Sequence, residues 1–203
     1  MEKYEIIIDD VDFEGLVGLS IVDNPAIETM FVKMSEEEKS LFELASIDEE
    51  KRIITGPALI PNKEIPRIGD NGETFSAFYS EDTIRQCVEL FFKKGKNVNI
   101  TLQHQMDVSD VVMFESWIIE DELNDKSNKY GYKLPTGTWM VSMKVYNDDM
   151  WNLIKQDIIR GFSIEGWFSK KLTSNKTNMS NIDNDISEDE FFRELEKIID
   201  YKK

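Results

Sequence analysis

The chain has 203 residues, of which 40% are hydrophobic and 11% aromatic, and this is enough to build one domain with a core. Its formal net charge of −16 argues against sequence-independent binding to DNA or RNA, because such binding depends on Lys and Arg. No apolar run approaches the roughly 18 residues of a membrane span, and the charged start Met1–Glu5 is not a secretion signal. The chain has one histidine, His104, and one cysteine, Cys87. A single cysteine excludes an internal disulfide, and one residue of each type disfavours a zinc site built from His and Cys. We therefore expect no metal, no cofactor, no nucleic-acid partner and no membrane partner.

The first fifty residues divide into two parts. Between Tyr4 and Met34, the apolar runs Ile6–Ile8 and Leu16–Val22 alternate with turn-forming Asp and Gly, which predicts strands. Residues 35–50 are strongly charged and carry few apolar side chains, so we interpret them as a surface helix or a connector.

Residues 52–172 have the pattern of a compact core. Alternating or continuous apolar runs predict strands over Ile53–Ile60, Thr74–Tyr79, Val98–His104, Val111–Ile119, Thr138–Tyr146 and Phe162–Phe168. One helix is predicted to start at the N-cap Ser80 and to end at Gly95, and a second to start at the N-cap Asn147 and to end at Gly161. Many strands with two embedded helices favour an α+β, mainly β fold, in which helices wrap a barrel-like sheet.

Two of these strands bear on function. Period-two alternation through Ile100 and Leu102 predicts that His104 ends a strand on its apolar face. The nearly continuous apolar run Val111–Ile119 predicts a strand buried on both faces, interrupted only by Glu115 and Ser116.

The end of the chain is different in composition. Residues 173–186 are rich in Asn, Ser and Asp and predict a flexible linker. After it, Ser187 and Glu190 form a capping box for an amphipathic helix over 187–203. The predicted organisation is one domain over 1–172, a linker, and a terminal helix that self-cleavage between Leu172 and Ser187 would release.

A serine lies between glycines in Gly161-Phe162-Ser163-Ile164-Glu165-Gly166. A serine near the start of a strand can be exposed beside free backbone N–H groups, which suits acyl transfer. The segment precedes a strand and not a helix, so it is not the nucleophile elbow of the α/β-hydrolases. On this pattern Ser163 is a candidate nucleophile, although most surface serines have no such role.

A serine nucleophile requires a general base, and His104 is the one imidazole in the chain. The alternative for His104 is a hydrogen-bonded core residue. Two carboxylates are candidates for the group that orients the base. Glu115 interrupts an apolar run where an unpaired carboxylate would be costly, and Glu165 stands two residues from Ser163 on the same strand face. Either could instead form a structural salt bridge.

Several segments, taken in order, resemble the XkdF-like phage serine proteases, a family of prohead proteases. The resemblance covers roughly residues 15–168. It is carried by Ser20-Ile21-Val22-Asp23-Asn24-Pro25-Ala26-Ile27, Gly56-Pro57-Ala58-Leu59-Ile60-Pro61, Thr101-Leu102-Gln103-His104, Glu115-Ser116-Trp117-Ile118, Leu134-Pro135-Thr136-Gly137-Thr138-Trp139-Met140 and Gly161-Phe162-Ser163-Ile164-Glu165-Gly166.

The resemblance implies a closed β-barrel surrounded by helices, as in the herpesvirus assemblins, and a catalytic His and Ser at the positions of His104 and Ser163. In assemblins the third member follows the serine, which favours Glu165 or a carboxylate of the tail over Glu115. The implied function is a serine endopeptidase of capsid maturation. It would cleave scaffold and major capsid protein, and also itself, within the immature phage head in the host cytoplasm, and it would act as a homodimer. The alternative is a catalytically inactive virion or scaffold-associated protein with the same fold.

Overall fold

The computed structural model describes residues 2–23, 25–26, 32–34, 51–68 and 72–173. Its helices are α1 (Glu81–Lys93) and α2 (Asp148–Lys155), with 3₁₀ turns at Lys96–Val98 and Lys126–Tyr130. The strands are β1 (Glu2–Ile7), β2 (Gly15–Val22), β3 (Val32–Met34), β4 (Ile53–Leu59), β5 (Ile65–Ile68), β6 (Thr74–Tyr79), β7 (Ile100–Leu102), β8 (Met106–Asp107), β9 (Val111–Ile118), β10 (Trp139–Val145), β11 (Gly161–Trp167) and β12 (Ser169–Leu172). The predicted connector at 35–50, the linker beyond Thr173 and the helix at 187–203 lie outside the described residues.

The strands form three four-stranded sheets. The first sheet has the order β12-β1-β6-β5, the second β3-β4-β10-β9 and the third β11-β2-β7-β8. The pairs β1–β6 and β2–β7 are parallel, and the other pairs are antiparallel. The mainly β prediction is therefore correct.

The predicted closed barrel surrounded by helices is wrong. In the described part of the chain, no sheet has its first and last strands paired, and two α-helices are too few to surround a barrel. Closure needs one continuous hydrogen-bond ladder with a consistent stagger, whereas here the chain distributes its strands among three open sheets. β11 belongs to the third sheet and β12 to the first, although Phe168 alone separates them.

Local capping signals explain the helix starts. The Ser80 hydroxyl accepts a hydrogen bond from Thr83 N at 3.3 Å, and the Asn147 side chain accepts one from Met150 N at 2.9 Å, as predicted. The second helix ends at Lys155, so its predicted extension to Gly161 is wrong.

The early end of α2 has a clear cause. Asp157 adopts a left-handed conformation with φ 56° and donates its N–H to Ile154 O, while Ile158 N donates to Leu153 O. This pair of bonds is the Schellman arrangement that closes helices. The chain then turns toward β11, and Ile158 is left exposed.

The core packs both helices against the sheets. Trp139 and Trp151 are almost fully buried, and the Trp139 ring meets Phe91 of α1 edge-on at 5.6 Å between centroids. Phe162 belongs to the same core, which fixes the strand that carries its neighbour Ser163. None of the helices in the described part of the chain is long and apolar enough to span a membrane.

The prediction that the segment from Val111 is buried on both faces is wrong. β9 lies at an edge of the second sheet, and Val112 and Phe114 are about half exposed, at 50% and 54%. Hydropathy alone does not distinguish an edge strand with apolar side chains from a central one.

Candidate active site

Three strands of the third sheet bring the candidate residues together. Ser163 of β11 lies opposite Ser20 of β2, and Ser20 lies opposite Thr101 of β7. Residues directly opposite in an antiparallel pair have Cα atoms about 4.5–5.5 Å apart. The row therefore joins three segments that are far apart in the sequence.

The two faces of this sheet differ in chemistry. Because side chains alternate along a strand, Ser163 and Glu165 lie on the same face as Ser20 and Thr101. The opposite face carries core residues: Leu19, Ile21, Ile100 and Phe162. The apolar face thus anchors the sheet, and the polar face presents the hydroxyl and carboxyl groups.

Gly18 makes room for the carboxylate on this face. It lies opposite Glu165, and a Cβ at this position would come within 3.4 Å of Glu165 Oε2 and 3.3 Å of Asn99 O. Any larger residue would crowd the Glu165 side chain.

His104 lies in the turn after β7, so the prediction that it ends a strand on the apolar face is wrong. β7 stops at Leu102, and Gln103 and His104 both have left-handed backbone conformations, with φ 52° and 58°. Gln105 N closes the turn on Leu102 O at 3.0 Å. The alternation that predicted the strand continues by coincidence into a turn, and the turn leaves the imidazole partly exposed, at 41%.

The turn directs the His104 ring toward Glu165. His104 Nδ1 lies 3.2 Å from Glu165 Oε1, and the Thr101 hydroxyl donates a hydrogen bond to the same oxygen. The Glu165 side chain is 24% exposed. In a neutral imidazole whose Nδ1 carries the proton, the lone pair lies on Nε2, which is the tautomer a general base requires.

Ser163 is the remaining candidate residue on this face. It is half-buried on the edge strand β11, two residues from Glu165 on the same face. Among the described residues, no hydrogen bond joins its hydroxyl to His104. In unliganded sites such bonds are often long and tighten when substrate binds.

Glu115 lies elsewhere, on β9 of the second sheet. It forms an ion pair with Lys126 and accepts a hydrogen bond from the Ser142 hydroxyl at 3.1 Å. Lys126 Nζ also lies 3.5 Å from the centre of the Trp117 ring. The structure thus brings Glu165 to His104, and it does not bring Glu115 there.

Sequence reasoning assigned no role to two residues of the site, Ser20 and Thr101. Ser20 is fully buried at 0% exposure, and its hydroxyl accepts a hydrogen bond from His104 N at 2.9 Å. A hydroxyl inside the apolar run from Leu16 to Val22 was the available signal, because buried polar groups need partners. Its partner lies 84 residues away, and the sequence does not identify it.

Cys87 contributes nothing to this site. The thiol is buried on α1, and burial raises its pKa to about 12, so it stays protonated and unreactive near neutral pH. Within the residues that the structure describes, no cluster of His, Cys, Asp and Glu could hold a metal ion.

One comparison with known proteins gives a match. The family model described as "Putative phage serine protease XkdF" matches residues 42–171, which is more than half of the chain and includes His104, Ser163 and Glu165. No curated protein and no solved structure matches the chain.

Proposed function

We propose, from the premise that this chain belongs to the XkdF family of phage serine proteases, that it is a serine endopeptidase. In this proposal Ser163 is the nucleophile, His104 is the general base and Glu165 orients the imidazole. The observation that carries it is the 3.2 Å approach of His104 Nδ1 to Glu165 Oε1, on the face that also holds Ser163.

The chemistry follows from that contact. His104 Nε2 takes the proton from Ser163 Oγ as the oxygen attacks the carbonyl carbon of a peptide bond. The imidazolium, stabilised by Glu165, gives the proton to the departing amine, and the acyl group remains on Ser163. A water then attacks the ester with His104 again as base, which releases the acid and restores the hydroxyl.

The developing oxyanion needs hydrogen-bond donors. β11 is an edge strand, so every second N–H group of its backbone points away from β2. Such groups beside Ser163 are suitable donors, and they would be preorganised because Phe162 is fixed in the core.

The substrate side of the proposal rests on the family and on the sequence resemblance. We propose that the enzyme cleaves scaffold and major capsid protein segments within the immature phage head in the host cytoplasm, and that it acts as a homodimer. The family name supplies the phage setting and the serine-protease chemistry. The sequence resemblance to prohead proteases supplies the capsid-maturation role.

A fluorophosphonate probe tests the chemistry without a known substrate. An activated serine displaces fluoride from the probe and becomes phosphonylated, and peptide mapping then identifies it. We expect labelling at Ser163 in the wild type, and none in Ser163→Ala or His104→Ala.

The matched control is Ser109→Ala, which removes an exposed serine close to His104 in the sequence and should label like the wild type. Absence of labelling in the folded wild type, alone and coexpressed with its scaffold, would contradict the enzyme and favour an inactive structural protein with the same fold.

A further inference from the structure

The turn that carries His104 has an unfavourable backbone. Gln103 and His104 are consecutive residues with positive φ, and neither is glycine. Tight turns with this geometry strongly favour glycine or asparagine, because a side chain at positive φ meets its own backbone. Surrounding contacts must therefore hold the turn in place.

Those contacts come from β2 and the residue that follows it. The Ser20 hydroxyl accepts the His104 N–H at 2.9 Å, and Ile21 O accepts the Gln103 N–H at 3.1 Å. Asp23 N donates to the Gln103 side chain at 3.4 Å. Of these three bonds, the one from His104 N to the Ser20 hydroxyl is the one that joins a side chain to the His104 backbone.

Ser20 has no freedom to act as a nucleophile. Its side chain is fully buried, its oxygen accepts from His104 N, and its proton is directed at Thr101 O, 3.4 Å away. Its two hydrogen bonds connect the turn to β7, while its backbone lies opposite Ser163. One residue thus links the strand of the nucleophile to the turn of the base.

We infer that Ser20 is a positioning residue, whose hydroxyl holds the His104 backbone in its left-handed conformation so that the imidazole faces Glu165. This inference rests on the proposed function for its catalytic consequence. The anchoring of the turn is a separate physical claim and can be measured without any activity.

The alternative is that Ser20 merely satisfies a buried polar position. Gln103→Gly separates the two explanations, because glycine adopts positive φ without steric cost. Since it also removes the side-chain bond from Asp23 N, the double variant is compared with Gln103→Gly alone. If Ser20 acts by holding the turn, a turn with glycine at position 103 adopts the left-handed conformation more easily by itself. The loss of the Ser20 hydroxyl should then have a smaller effect. If Ser20 only fills space in the sheet, a glycine at position 103 should not compensate for its loss.

The first measurement is the hydrogen exchange rate of the His104 amide, followed by NMR. Because the chain has one histidine, the imidazole signals need no assignment among several rings. In Ser20→Ala we expect faster exchange at His104 and averaged ring signals, with both partly restored in Ser20→Ala/Gln103→Gly. Ser76→Ala is the matched control. Ser76 lies in the first sheet, and its buried hydroxyl donates a hydrogen bond to Glu64.

The second measurement is the rate of fluorophosphonate labelling at Ser163. Ser20→Ala should slow it by about 10- to 100-fold, the usual effect of displacing a catalytic group slightly. The added Gln103→Gly should recover part of that loss, and Ser76→Ala should have no effect on the rate. If Ser20→Ala does not fold, Ser20→Cys fills the position with a slightly larger group that is a weaker acceptor, and should change both measurements in the same direction.

The results distinguish this inference from the proposed function. Unchanged exchange at His104 in a folded Ser20→Ala would overturn the inference, whatever the labelling rate. Faster exchange without slower labelling would also overturn it, because the turn would then be anchored without catalytic effect. No labelling in the wild type would instead contradict the protease, and the exchange data would still decide whether Ser20 holds the turn.

Discussion

Thr101 donates its hydroxyl to Glu165 Oε1, the same oxygen that contacts His104 Nδ1. The donor lies on β7 and the acceptor on β11, with β2 between them, so the bond crosses the intervening strand above Gly18. A carboxylate held by such a bond has fewer orientations available, and in this one its Oε1 lies 3.2 Å from His104 Nδ1.

Thr101→Val removes the donor and keeps the shape of the side chain. We expect labelling at Ser163 to slow about tenfold, because Glu165 loses the bond that fixes its orientation, and the free energy of unfolding to fall by about 1 kcal/mol. The two measurements are fluorophosphonate kinetics and urea denaturation. Thr74→Val, on the exposed start of β6, is the control and should leave the labelling rate unchanged. Equal rates in both variants would show that Thr101 does not orient Glu165.

The carboxylates can be separated by amide substitution. Glu165→Gln keeps the size of the side chain but cannot stabilise the imidazolium, so labelling should fall by about 10²- to 10⁴-fold. Glu115→Gln removes the ion pair with Lys126 and the charge that accepts the hydrogen bond from the Ser142 hydroxyl. We expect the free energy of unfolding to fall by no more than about 1 kcal/mol, and the labelling rate to stay near that of the wild type. The reverse pattern of rates would make Glu115 the orienting group.

How much of this the sequence could predict depends on the range of each interaction. The caps at Ser80 and Asn147 were predicted correctly, because each side chain bonds a backbone N–H three residues away. The closed barrel was wrong, because strand partners are set by contacts between distant segments. A period of two does not specify which strands pair.

The same reasoning applies to the candidate site. His104 was a candidate base because the chain has one histidine, and Ser163 was a candidate from its flanking glycines and from the family resemblance. The sequence left Glu115 and Glu165 as alternatives for the orienting carboxylate, and the structure places Glu165, not Glu115, beside His104. The position of His104 in a turn was missed because the alternating pattern continues past the end of β7. The part played by Ser20 depends on the pairing of β2 with β7, and nothing near Ser20 in the sequence indicates it.

Cys87 provides a test of the core that is independent of catalysis. Because burial raises its pKa to about 12, the thiol should not react with a disulfide reagent at pH 8 in the native protein, and should react fully after unfolding in denaturant. The unfolded thiol ionises near pH 9, so the free energy of unfolding should decrease as the pH rises from about 9 to about 12. Rapid reaction of the native protein at pH 8 would show that α1 does not pack as described.

The final prediction concerns the pair Ser163 and His104. Ser163→Ala and His104→Ala should each abolish cleavage of the coexpressed scaffold, seen as uncut protein on a gel. Each should keep the free energy of unfolding within about 1 kcal/mol of the wild type, because Ser163 is half-buried on the polar face and His104 is partly exposed. The double variant should be no worse than either single one, since a nucleophile without its base, or a base without its nucleophile, has already lost the shared step. Normal cleavage by Ser163→Ala would end the assignment of Ser163 as the nucleophile.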